Sequence, residues 1–406
     1  MNGAAKKALI ALALTPVIAA AFLAALLAAF AIPNEPILRN LMDRPEVLYA
    51  RRADNGRVID ADTECIGVSI GLDLTEPRQP LFERAVRAQS LMGCSAIEPW
   101  ILDHQSQTVR DYFRYWHGYL TIARPILAAM HYSDLRGCLF TLSAGLFFWL
   151  LWRIGADFGP QTALALFFPF VVINAMGLWL VVTKAVTWFI AIGAGIALSR
   201  RKSADPPFLL FFIVGAMTAY FDFFTAPAFI AAFAAMIWAM YEGRAGRAPR
   251  WATLTLLALF WGAGWAGFIL VKIAIADAAL DADVWRDFAQ AALFRVRGET
   301  EYVESFFPGM AIYENFAAMK TFWGLVAVIA FVILPFATRA RRARWAALVR
   351  ERSVLIGVAA APILWLEIFS SHTQIHAAFT QINFATAFML AGLVLAASPA
   401  LARRPA

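Results

Sequence analysis

The feature that most limits how this chain can fold is a series of long apolar runs divided by short connections, every second one of which carries arginine. The runs lie near residues 9–32, 136–152, 161–180, 182–199, 207–224, 226–241, 251–276, 320–337, 353–369 and 378–398. A helix of about 20 apolar residues matches the hydrocarbon thickness of a bilayer, roughly 30 Å. Hydrophobic residues make up 61% of the 406 positions and charged residues only 16%. That leaves too little polar side chain to cover a soluble particle. The predicted class is therefore an all-α polytopic membrane protein with about ten transmembrane helices.

The connections predict orientation. Lys6 and Lys7 precede the first run, which is longer than a secretory apolar region. It reads as a retained signal-anchor with its N-terminus inside, although Ala29-Phe30-Ala31 resembles a signal-peptidase site. Cytoplasmic connections should then be basic. They hold Arg153, then Arg200, Arg201 and Lys202, then Arg244, Arg247 and Arg250, then Arg339, Arg341, Arg342 and Arg344, with Arg403 and Arg404 in the tail. The expectation is an even number of spans with both termini cytoplasmic. Two long segments, 33–134 and 277–315, fall outside, and neither is of low complexity. Both are expected to be folded and to carry interfacial helices within a single membrane domain, 1–406. The +7 formal charge sits in the orienting runs, which argues against a nucleic-acid surface. No internal repeat supports an inverted-repeat transporter.

Three cysteines are too few for a disulfide scaffold or a paired-cysteine metal site. Cys65 and Cys94 share the first outer segment, where an oxidising compartment would let them pair; the alternative is two free buried thiols. Cys138 opens a span.

Ionisable groups inside a bilayer are costly and mark function by default. Lys184, Asp222, Lys272 and Glu367 all fall toward the outer ends of predicted spans, followed by His372 and His376 at the same face. None lies near a span's middle, where an ion-coupled transporter would place them. For the two lysines, snorkelling to the interface explains as much as function does. Asp222, within Tyr220-Phe221-Asp222-Phe223-Phe224, has aromatic neighbours that leave it few solvating partners.

Three strings could carry chemistry. Asp60-Ala61-Asp62-Thr63-Glu64 could bind a cation, supply a general base or form a solvated turn. Residues 111–131, read as one helix, separate into an apolar stripe and a stripe of Arg114, His117, Thr121 and Arg124. Such a helix would lie at the membrane interface, its arginines gripping either a phosphate or lipid headgroups. His372 and His376, at i and i+4, share a helical face. With no evident third ligand, substrate hydrogen bonding and helix-end packing weigh more than metal ligation.

These strings, with Arg124-Pro125 and His376-Ala377-Ala378-Phe379-Thr380, are similar to strings in a group of bacterial multipass membrane proteins. There the first string usually ends in aspartate, where this chain has Glu64. The organisation also resembles GT-C glycosyltransferases, in which a large outer loop after the first span carries an acidic catalytic residue. The resemblance implies an inner-membrane enzyme that moves a sugar from a polyprenyl-phosphate donor to a glycan or lipid acceptor on the periplasmic side. No nucleotide-binding signature appears, as a lipid-linked donor would require. Asp60 is then the first choice of base and Glu64 the second, with Arg114 and Arg124 on phosphate. Asp222, His117, His372 and His376 would orient hydroxyls. No cofactor or metal ligand set is implied, though the acidic string leaves room for a divalent cation. A lipid-linked-glycan flippase and a non-catalytic envelope-assembly protein are the alternatives.

Overall fold

The computed structural model describes residues 3–44, 61–74, 79–102, 107–201, 203–222, 224–298, 307–319, 321–398 and 401. Asp60, Lys202, Arg403 and Arg404 lie outside them, as does the side chain of Asp62. Among the described residues the regular structure is all helical, apart from one isolated antiparallel bridge between Ser90 and Arg110. A helix satisfies its backbone hydrogen bonds within one segment, as lipid demands.

Among the described residues, five helices are individually long and apolar enough to cross a bilayer: Gly3–Phe30, Tyr132–Phe158, Val182–Ser199, Trp251–Ala279 and Ala377–Leu395. A sixth crossing would be the pair Met310–Ala317 and Phe322–Phe336, bent by 112°. Leu12, Leu142, Phe148, Trp152 and Leu259 stand exposed along these helices. In water that arrangement is inside out; in lipid it is the expected one.

The remaining apolar runs are helical too: Pro227–Arg244 is continuous over 18 residues, and the others are short, broken or kinked. The run at 161–180 becomes a Pro160–Val172 helix and an Ala175–Leu180 3₁₀ segment, parted at Asn174, which sits at φ 51°. The Phe208–Phe221 helix has 14 residues, about 21 Å, short of a full crossing. The 353–369 run is the second half of a 30-residue helix, Arg339–Ile368, kinked at Arg352.

Close helix contact rests on glycine. A Cβ on Gly215 would meet the Trp261 carbonyl oxygen at 2.1 Å, and one on Gly264 would meet the Phe212 carbonyl oxygen at 2.2 Å. The Phe208–Phe221 and Trp251–Ala279 helices therefore touch backbone to backbone, as small residues allow in membranes.

The described part of 33–134, the segment expected outside and called the first outer segment, folds over one end of this bundle. Its helices Asn34–Met42, Ala61–Gly71, Leu81–Arg87, Cys94–Leu102 and Leu120–Ala129 share an apolar core with Leu26, Phe30, Leu135 and Val186 of the long helices. Cys65 and Cys94 are disulfide-bonded, with Cα atoms 5.0 Å apart. The second outer segment contributes the helix Val284–Arg297, which Asp283 caps by accepting from the Arg286 amide at 3.3 Å.

The single helix expected over 111–131 does not form. Residues 111–119 run as turns, and helix begins only at Leu120. His117 takes a left-handed φ of 57°. The Gly118 amide donates to the Tyr220 carbonyl at 2.8 Å, and a Cβ on Gly118 would lie 2.3 Å from the Tyr220 ring. This tertiary contact fixes a backbone shape that a helix cannot supply, and the predicted basic stripe is lost with it.

Candidate functional site

Glu64 ties the first outer segment to a spanning helix. Its carboxylate accepts from the Val182 amide at 3.0 Å and the Thr183 hydroxyl at 3.5 Å, and the Tyr132 hydroxyl also donates to it. It thereby caps the start of Val182–Ser199 from a distant part of the chain. Burial raises its carboxyl pKa above the ordinary value, and the Val182 amide together with Arg136 and Lys184 oppose that shift. So occupied, Glu64 fits a positioning group better than a free base.

Asp222 closes a turn at the same end of the bundle. One carboxylate oxygen accepts from the Thr187 hydroxyl at 2.8 Å and the other from the Thr225 amide at 2.9 Å. The turn puts Phe224 at φ 58°. The Phe224 carbonyl accepts a hydrogen bond from His372 Nε2 at 3.0 Å, and the Phe224 ring centroid lies 4.8 Å from the His372 ring. His376 follows, its ring 4.7 Å from His372 and 5.0 Å from Phe379. The buried Lys184 ammonium stands 3.4 Å over the Phe379 ring centroid. Thus Glu64, Lys184, Asp222, His372 and His376 form one continuous polar belt, linked through Thr183, Thr187, Phe224 and Phe379.

His117 packs among Tyr112, Tyr115 and Tyr119. Its Nε2 donates to the Tyr112 carbonyl at 2.8 Å, a bond that sets the tautomer because the carbonyl can only accept. Burial pushes its pKa down to about 3, so the ring stays neutral near pH 7.

The two arginines chosen from sequence separate. Arg124 is fully buried. It donates to the carbonyls of Ala29 at 2.8 Å and Ile32 at 2.6 Å, to Asn34 Oδ1 at 2.9 Å, and to the Gly71 carbonyl. These groups finish the Gly3–Phe30 and Ala61–Gly71 helices, where orphan carbonyls need donors. Its expected role on phosphate is therefore corrected to one of clasping helix ends.

Arg114 instead pairs with Asp287 at 2.6 Å, which docks the first outer segment on the second. Near it stands Arg295, which the sequence reading passed over. Arg295 donates to the Tyr115 hydroxyl and lies 5.4 Å over the Phe224 ring centroid. Arg114, Arg295, Tyr115, Phe224, Trp265 and Phe288 line a cleft of about 270 Å³, whose other walls are apolar. The only signal for Arg295 was its place in a basic, amphipathic stretch of the second outer segment.

The cleft and the belt share Phe224, so the arginines and the histidines converge. Among the described residues, no group of three or more His, Cys, Asp or Glu could hold a metal ion. No family model, curated protein or solved structure matches this chain.

Proposed function

We propose that the chain is a GT-C-type glycosyltransferase that uses a polyprenyl-phosphate sugar, with ten spans, both termini cytoplasmic and its site on the periplasmic side of the bacterial inner membrane. The observation that carries this reading is the apolar cleft lipped by Arg114 and Arg295 beside the buried carboxylate and histidines. An isoprenoid chain needs a greasy slot open to the bilayer, and its phosphate needs cations at the slot's mouth.

The chemistry follows from those parts. An acceptor hydroxyl oxygen attacks the anomeric carbon while a carboxylate takes the hydroxyl proton. The anomeric carbon–oxygen bond breaks, and the electron pair leaves on polyprenyl phosphate. Arg295 and Arg114 stabilise that charge. Asp60 remains the first choice of base, since Glu64 already accepts three hydrogen bonds. In this reading Asp222, His117, His372 and His376 orient the acceptor's hydroxyls, with the neutral His117 serving as a hydrogen-bonding group.

Native mass spectrometry of the purified chain with a polyprenyl phosphate tests the reading. Wild type should bind it, and Arg295→Ala should weaken binding by about tenfold or more, the scale of one lost charge-assisted hydrogen bond. Envelope glycans of a deletion strain should lack one sugar. A chain that does not bind the lipid, or an unchanged glycan profile, overturns the assignment.

A further inference from the structure

The opposite end of the bundle holds a second polar cavity. Val182–Ser199 begins at Glu64 and ends at Arg200 and Arg201, 18 residues later, or about 27 Å along the axis. There the C-terminal ends of Tyr132–Phe158, Val182–Ser199 and Pro227–Arg244 surround a cavity of about 500 Å³.

Its walls carry five arginines, Arg153, Arg200, Arg201, Arg244 and Arg247, against two carboxylates, Asp157 and Glu242. Both carboxylates are taken. Asp157 accepts from the Tyr241 hydroxyl at 2.6 Å and pairs with Arg244, while Glu242 holds Arg247 through two bonds of 2.7 and 2.9 Å. Arg153 reaches the Ser199 carbonyl at 3.4 Å. Cations at helix C-termini also complement the dipoles, so these three arginines have structural reasons to be present.

Arg200 and Arg201 share the dipole reason, standing just past the end of Val182–Ser199, but neither is held by a carboxylate or a carbonyl as the other three are. Arg200 stacks 4.7 Å over Trp149. Neither guanidinium has a hydrogen-bond or ion-pair partner among the described residues. Two more donors stand unused at the cavity: Arg153 Nε and Trp238 Nε1, both buried without a partner, Trp238 being 4% exposed. A buried N–H normally finds an acceptor. Glu242 and Asp205 attract Arg201, yet among the described residues the cavity keeps a surplus of donors and of positive charge.

We propose that this cavity binds a phosphate-bearing anion, with Arg200 and Arg201 neutralising its charge and the Trp238 Nε1–H donating to it. The volume exceeds that of one inorganic phosphate and admits a glycerophosphate headgroup or a diphosphate. A lipid headgroup and a soluble phosphate share this chemistry. The inference stands apart from the proposed transfer reaction, because it uses none of the same residues.

The test uses the full chain, stripped of anionic lipid and held in phosphatidylcholine nanodiscs. Inorganic pyrophosphate is titrated calorimetrically in one arm, and phosphatidylglycerol is supplied and counted by native mass spectrometry in the other. Saturable binding of either probe is expected, weakened about tenfold or more by the Arg200→Gln/Arg201→Gln pair. Phosphatidylglycerol binding alone identifies a headgroup, and pyrophosphate binding alone a soluble ligand. Trp238→Phe keeps the ring but removes the donor and should weaken the same probe, which guards against misfolding of the double variant. Arg339→Gln, an exposed cation elsewhere, should change nothing. If neither probe binds saturably, or if the double variant and Trp238→Phe both bind like wild type, the site does not exist.

Discussion

Replacing Arg124 by glutamine separates the two roles that this residue could have. Its guanidinium serves four acceptors: the carbonyls of Ala29, Ile32 and Gly71 and Asn34 Oδ1. Glutamine is shorter and has two donors, so at least two of the four lose their partner, and the cation over the Phe30 ring, 5.2 Å from its centroid, goes with it. Buried acceptors left unmet cost about 1–3 kcal/mol each. A loss of about 3–4 kcal/mol is therefore expected, raising the unfolded fraction by roughly two to three orders of magnitude. The assay is thermal unfolding in detergent, run beside polyprenyl-phosphate binding at a temperature where the variant remains folded. Arg124→Gln should melt well below wild type yet bind the lipid phosphate as wild type does. A variant that melts like wild type but no longer binds the lipid would refute the clasp and restore Arg124 to the phosphate.

Asp60→Asn should abolish sugar transfer, by about 10²–10⁴-fold, without altering the melting curve; Glu64→Gln should lower the melting temperature, because its carboxylate fastens the first segment to Val182–Ser199. Retained transfer in Asp60→Asn would remove Asp60 as the base. Gly215→Val should prevent recovery of folded chain, since its side chain would enter the Trp261 backbone, and a monodisperse wild-type-like elution profile would contradict the close crossing. His117 has its folded pKa pushed down to about 3, against about 6.5 when unfolded. Between those values the unfolded chain binds the extra proton, so His117 makes stability fall as pH drops through 6.5. His117→Gln should therefore lose part of the difference in melting temperature between pH 7 and pH 5, and an unchanged difference would speak against neutral burial. Reporter fusions after Asp222 and after Arg342 should read periplasmic and cytoplasmic respectively, and the reverse at either would overturn the proposed topology.

Composition and apolar run length were enough to predict a helical membrane protein, because lipid permits few ways to satisfy a backbone and this chain has no polar surface to spend in water. Residues at the site were legible only as a set. Asp222, His372 and His376 could be named from their place at helix ends, yet the Phe224 carbonyl and ring that join them became visible only in the fold. The helix expected over 111–131 failed because periodicity reports what a segment could do alone, whereas Gly118 packs against Tyr220 from more than a hundred residues away. The division between Arg124 and Arg295 shows the same limit. Arginine in sequence is a charge with five donors; whether those donors meet helix carbonyls or stand at a cleft depends on neighbours brought in from distant segments. Tyr115 and Arg295 are 180 residues apart, and only tertiary packing decides that they meet.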